Sequence, residues 1–128
     1  VDTLVDTDII IDFSRGVADA ANVFSARAQL GTLFISPITA IELLVGCANR
    51  NEQNQIDGLL QQRFTVSPID ATTSLRAIDL VRQYHLSHGL QLADALIAAE
   101  SLTQNIALLT KNQKHYRYII GLNLLPYP

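Results

Sequence analysis

The chain has 128 residues, 48% of them hydrophobic and 16% charged, with a net charge of −3. These values describe an ordinary globular protein, long enough for one domain over residues 1–128 with its own core, and exclude a disordered chain. A single cysteine, Cys47, excludes an internal disulfide framework and makes a reducing cytoplasm the expected setting, while no apolar run reaches membrane-spanning length and no basic-then-apolar leader opens the chain.

Thr3 to Asp6 reads as a short first strand. From Asp8, Ile9, Ile10, Ile11 and Phe13 begin a short helix that Gly16 stops. Ala18 to Leu30 forms a second helix ended by Gly31, and Leu33 to Ile35 a second strand. Pro37 opens a third helix near its first turn. There Ile38, Ile41, Leu44, Val45 and Ala48 fall on one stripe at helical spacing, with Glu42 at its border. Cys47 lies on the same apolar helix and reads as a buried, inert thiol. The polar stretch Asn51 to Gln62 reads as an exposed helix and Phe64 to Val66 as a third strand. Asp70 is placed to N-cap a long helix with an inner face at Leu75, Ile78, Val81 and Tyr84 or His85, closed by Gly89.

Leu92 to Leu102 is apolar nearly all round, the mark of a buried helix. Ala107 to Leu109 reads as a fourth strand, Asn112 to Ile120 as a further helix, and Leu122 to Leu125 as a last short strand. Strands alternating with helices predict an α/β domain with a mainly parallel sheet. In such sheets, sites form beyond the carboxyl ends of the strands, where the strand order reverses. Asp6 and Thr110 each follow a strand, and Glu42 and Asp94 lie early in helices, so all four are candidates for that edge.

Three of these residues are carboxylates inside apolar surroundings. Asp6 ends Thr3-Leu4-Val5, Glu42 interrupts Ile38 to Val45, and Asp94 lies within Leu92 to Ala99. Acids in such places are paired or hold a metal, and no Lys or Arg lies within four positions of any of them. Brought together, they call for a divalent cation. Mg²⁺ and Mn²⁺ take oxygen ligands, activate water and offset phosphate charge, which points to hydrolysis of phosphodiesters. The plain alternative is that Asp6 and Asp94 cap helices; Glu42 has no such use. Asp8 and Asp12 read as solvent-facing or supporting groups, and His85, His88 and His115 show no metal-ligand spacing. Residues 1–100 hold six Lys/Arg and twelve Asp/Glu, whereas residues 101–128 hold Lys111, Lys114 and Arg117 and no acid. Beside an acidic metal site those three cations are candidates for holding a phosphate backbone.

Leu4 to Asp12, Ile38 to Gly46, Leu92 to Ala99 and Leu109 to Tyr116 resemble, in order and spacing, the four motif blocks of PIN domains. Within that family the chain is similar to the VapC-type toxins of bacterial and archaeal toxin–antitoxin pairs. The resemblance implies a three-layer α/β/α fold around a sheet of about five strands, and a Mg²⁺- or Mn²⁺-dependent endoribonuclease. It carries metal binding onto Asp6, Glu42 and Asp94 and a supporting hydroxyl onto Thr110. It further implies a homodimer, and a VapB-type antitoxin whose tail covers the site. Many members carry a fourth acid in the last block, where this chain offers Asn112 and His115; Asn112 can ligate through its carbonyl oxygen or position a water.

Two rivals remain at this point. A phosphorelay receiver needs a phosphoacceptor Asp ending a central strand, but Asp57 follows Asn51-Glu52-Gln53-Asn54-Gln55, which cannot be a buried strand. A PIN-like module that binds RNA or a partner without cleaving it is supported by Asn112 alone.

Overall fold

The alternation of side chains along short apolar strands builds two cores, one on each face of a single sheet. The computed structural model describes residues 1–128. Its strands are β1 (Thr3–Val5), β2 (Leu33–Ile35), β3 (Thr65–Val66), β4 (Ala107–Leu109) and β5 (Leu124–Leu125), all parallel, in the order β3-β2-β1-β4-β5. The helices are α1 (Thr7–Ser14), α2 (Ala18–Leu30), α3 (Pro37–Val45), α4 (Arg50–Arg63), α5 (Ala71–His88) and α6 (Leu92–Gln104). Leu4 and Leu108 pack with Ala77, Leu80 and Tyr84 of α5 and Ala95, Ile97 and Ala98 of α6. Val5, Ile35 and Leu109 point the other way, onto Ile9 and Ile10 of α1, Phe24 of α2, Leu43 of α3 and Leu60 of α4. The result is the expected three-layer α/β/α arrangement. No helix is long and apolar enough to cross a membrane.

Chain order positions the site. The chain adds β2 and β3 on one side of β1, then crosses to lay β4 and β5 on the other, so the order reverses between β1 and β4. There the Asp6 N–H donates to Leu109 O at 2.9 Å, which ties the two strand ends together. Such a reversal opens a crevice beyond the strand ends.

Several local readings hold. Asp70 caps α5 by accepting from Thr73 N at 2.8 Å, and Gly89 ends that helix at φ 76°, a left-handed conformation that suits glycine. Gly31 ends α2 for a different reason. Its φ of 173° is ordinary extended backbone, but a Cβ there would collide with the Val1 carbonyl.

Four readings are corrected. The inner face of α3 is not the Ile38-Ile41-Val45 stripe: Ile41 and Val45 are 56% and 77% exposed, and the helix buries Thr39 and Leu43. Thr39 can turn inward because its hydroxyl meets Thr7 Oγ1 at 3.1 Å. Glu42 therefore lies at an exposed position rather than inside a buried stripe. In α5 the buried face is Thr73, Ala77, Leu80 and Tyr84, while Leu75 and Ile78 are 64% and 47% exposed. Thr73 and Ala77 are buried on that face beside Leu80 and Tyr84, and the Thr73 hydroxyl meets that of Thr103 on α6 at 2.9 Å. Finally, residues 112–120 form only a 3₁₀ turn, Gln113–His115, and not a longer helix. The Gln113 amide donates to Thr110 O (2.7 Å) and Leu125 O (3.0 Å), and Tyr116 and Ile119 plug into the core, which holds the segment against the sheet. Cys47 is half-buried rather than buried, its thiol donating to Leu43 O at 3.3 Å.

Candidate functional site

Asp6 stands where β1 becomes α1. With extended backbone it caps α1, its Oδ1 accepting from Thr7 N at 2.8 Å, so the capping role read from the sequence is real. Its other oxygen does something else. Oδ2 accepts from Thr110 Oγ1 at 2.8 Å and from the Tyr116 hydroxyl at 3.2 Å. The same hydroxyl lies 3.0 Å from Asp94 Oδ1, in the first turn of α6. Asp6 and Asp94 thus meet across one phenol, which has a single proton to share between them. Burial and the two neighbouring carboxylates push the Tyr116 phenol far up, so it stays protonated as a donor.

Around this pair the charge is one-sided. Burial, reinforced by the negative charge of Asp8, raises the Asp6 carboxyl to about 6, against the opposing hydrogen bonds from Thr110 and Thr7. Asp8 is raised too, again chiefly by burial; it accepts from Lys111 N at 3.2 Å and lies 3.4 Å from Thr110 Oγ1, whose one proton it shares with the nearer Asp6. Glu42 Oε1 accepts from Thr7 Oγ1 at 3.0 Å, one residue from the Asp6 cap, so it borders the cluster from the solvent side. The ring of His115 stands beside the pair, its Nδ1 3.5 Å from Asp94 Oδ2.

The donor set suits a hard divalent cation. All its ligating atoms are oxygens, and Mg²⁺ is commonly held by one or two carboxylates with water and phosphate completing the shell. As the side chains stand, no three acidic, His or Cys groups close on a common point. Asp6 and Asp94 converge on the Tyr116 hydroxyl, while Glu42 is tied to the site only through Thr7.

The other sequence candidates divide. Thr110 is fully buried and bonded to Asp6. Asn112 uses its backbone N–H on Thr110 Oγ1 at 3.2 Å, with its side chain in an exposed position. Lys111 does not present a free cation. Its ammonium pairs with Asp12 Oδ2 at 3.0 Å, and Asp12, expected to face solvent or play a supporting part, is buried and also accepts from Tyr127 at 3.4 Å. Lys114 and Arg117 are exposed, and neither takes part in an ion pair.

Sequence reasoning missed two residues. Tyr116 lay inside the fourth motif block, and a hydroxylated aromatic ending a block of site residues was the available signal. Glu100 is an acid in the same apolar helix as Asp94, six positions on, and meets the same criterion. It is fully buried, and neither carboxylate oxygen closes a hydrogen bond. Burial raises its carboxyl to about 7, against the opposing pull of the Ser36 and Ser67 hydroxyls.

Comparison with known proteins bears on this geometry. The sequence model of the PIN domain matches residues 3–120, which include every carboxylate of the cluster. The chain belongs to the PIN domain family. This PIN domain is similar to ribonuclease VapC10 of Mycobacterium tuberculosis, with 35% identity over 114 residues, 88% of this chain and 84% of the relative. It is also similar to the solved structure of a toxin–antitoxin complex from Klebsiella pneumoniae, with 28% identity, a TM-score of 0.79 and coverage of 97% and 96%. It shares its fold with VapBC2 from Rickettsia felis, solved bound to a DNA fragment from the promoter, at 21% identity, a TM-score of 0.86 and full coverage of both chains.

Proposed function

We propose that this PIN domain is a divalent-metal-dependent endoribonuclease, the toxin of a toxin–antitoxin pair, hydrolysing RNA phosphodiester bonds. The observation that carries this reading is the meeting of Asp6 and Asp94 on one tyrosine hydroxyl, at the strand-order reversal, with no Lys or Arg side chain in an ion pair with either. Relatives named as ribonucleases support RNA as the substrate class.

Asp6, Asp94 and Glu42 are the residues that would hold Mg²⁺ or Mn²⁺. A bound divalent cation there supplies Lewis-acid chemistry, making water a better nucleophile and offsetting charge on the phosphate. Thr110 fixes Asp6 through its hydroxyl, and the exposed Asn112 tunes the rim. Tyr116 keeps the two aspartates facing each other. Lys114 and Arg117 contact the RNA backbone, whereas Lys111 is assigned to Asp12 and to holding the loop after β4.

A groove of about 500 Å³ bounded by Ile11, Arg15, Glu42, Cys47 and Ile56 runs up to the cluster and suits an antitoxin tail. The exposed Leu75, Ile78 and Leu92 on α5 and α6 suit the second copy of a homodimer. Incubating structured RNA with the protein in Mn²⁺ tests the reading. Cleavage that disappears in Asp6→Asn is expected. A folded wild type that leaves RNA intact, or an Asp6→Asn variant that still cuts, refutes it; the first result with RNA binding retained would favour the non-cleaving module.

A further inference from the structure

A second cleft opens next to Asp94 and shares no lining residue with Glu42's groove. It holds about 250 Å³ and is lined chiefly by His88, Gln91, Asp94, Lys114, His115 and Tyr118. Three separate segments meet there: the end of α5 with its Gly89 turn, the first turn of α6, and the 3₁₀ turn after β4. We propose that this cleft is a subsite for one nucleotide of an RNA strand, its base against the His88–Tyr118 pair and its phosphate at Lys114. The proposal rests on the RNA-cleaving reading above and names the part of the substrate that lies beside the scissile phosphate.

Its construction favours a flat ring. His88 and Tyr118 lie parallel, with centroids 4.2 Å apart and planes 8° from each other. Tyr84 braces Tyr118 edge-on at 5.2 Å, and Ser87 Oγ holds His88 Nδ1 at 2.8 Å. The two inner faces cover each other, so a base would stack on an outer face of the pair, which any base can do because each presents a π surface. The polar groups then select. Gln91 donates its amide to Gly89 O at 3.1 Å, which orients the side chain and leaves its carbonyl oxygen free to accept from a base edge. Lys114 is exposed and in no ion pair, so it is available to a phosphate at the rim.

The cleft's wall also ties it to the chemistry. Asp94 belongs both to the cleft and to the pair bridged by Tyr116, so a nucleotide seated there places its neighbouring phosphate against the carboxylate cluster. A free anion alone would meet the Asp94 charge; a base with a phosphate held at Lys114 avoids it. The volume takes one base rather than a peptide helix.

Side-chain histidine resonances of the metal-free full chain, titrated with each of the four ribonucleoside 5′-monophosphates, test the subsite. The His88 signal should shift and saturate, and Tyr118→Leu should weaken the apparent affinity roughly tenfold. Inorganic phosphate alone should leave His88 unmoved. In the second arm, cleavage sites are mapped on a randomised RNA in Mn²⁺, where Gln91→Ala, a milder change at an exposed position, should alter the nucleotide preferred beside the cut. An unsaturable His88 signal, an equal response to inorganic phosphate, or an unchanged nucleotide preference in Gln91→Ala each overturns the subsite. Saturable nucleotide binding without RNA cleavage would sustain the subsite while removing the nuclease reading. Cleavage with His88 unmoved would do the reverse.

Discussion

Replacing Glu100 by Gln should make the protein more stable at pH 8 and change it little at pH 5. Glu100 is fully buried in α6 with both oxygens unpaired, and its carboxyl is raised from 4.5 to about 7. The folded state therefore keeps a proton that the unfolded chain releases, so stability falls as pH rises from about 4.5 to about 7 and is flat beyond. At roughly 1.4 kcal/mol per pK unit, the loss across that window is on the order of 2–3 kcal/mol. Gln has the same shape and no charge, so its profile lacks this slope. Urea denaturation followed by circular dichroism at pH 5, 6, 7 and 8, for wild type and Glu100→Gln side by side, reads the difference directly. Other titrating groups cancel between the two proteins. Parallel stability profiles, or a Gln variant less stable at pH 8 than at pH 5 by the wild-type margin, would refute the reasoning.

Tyr116→Phe should destabilise the metal-free protein by about 1–2 kcal/mol, since two carboxylates lose their shared donor. That deficit should shrink in saturating Mn²⁺, and a thermal-shift deficit indifferent to Mn²⁺ would count against the bridge. Asp94→Asn should abolish RNA cleavage while leaving the melting temperature equal or higher, because like-charge strain is relieved; a variant with full cleavage would remove Asp94 from the site. Lys114→Ala should lower RNA affinity and reduce its salt dependence by about one counterion. Lys111→Ala should instead cost stability, by about 1 kcal/mol or less given its half-exposed pair with Asp12, with little change in that slope. Equal salt slopes for the two lysine variants would contradict their separate roles.

Sequence proved informative wherever one residue type performs a local task. Asp70 accepts from Thr73 N three positions on, Gly89 turns the chain left-handed, and the strand–helix alternation alone predicts the sheet edge where Asp6 and Thr110 meet. Faces were harder. In α3 and α5 the buried positions Thr39, Thr73 and Ala77 are small or polar, and hydroxyl pairs make them compatible with burial, so apolar periodicity selected Ile41, Leu75 and Ile78 instead. Long-range pairing was harder still. Lys111 finds Asp12 across 99 positions and Tyr116 finds Asp6 across 110, and no local pattern announces either. Glu42 meets Thr7 from an exposed position on α3, not from the buried stripe that the apolar spacing suggested.

Mn²⁺ binding to the folded, RNA-free protein, followed by electron paramagnetic resonance, probes most directly whether these acids form a cation site. Wild type should take up Mn²⁺ saturably, and Asp6→Asn and Asp94→Asn should each lose that uptake while remaining folded. Uptake of equal affinity in all three proteins would place the ion elsewhere and contradict the account.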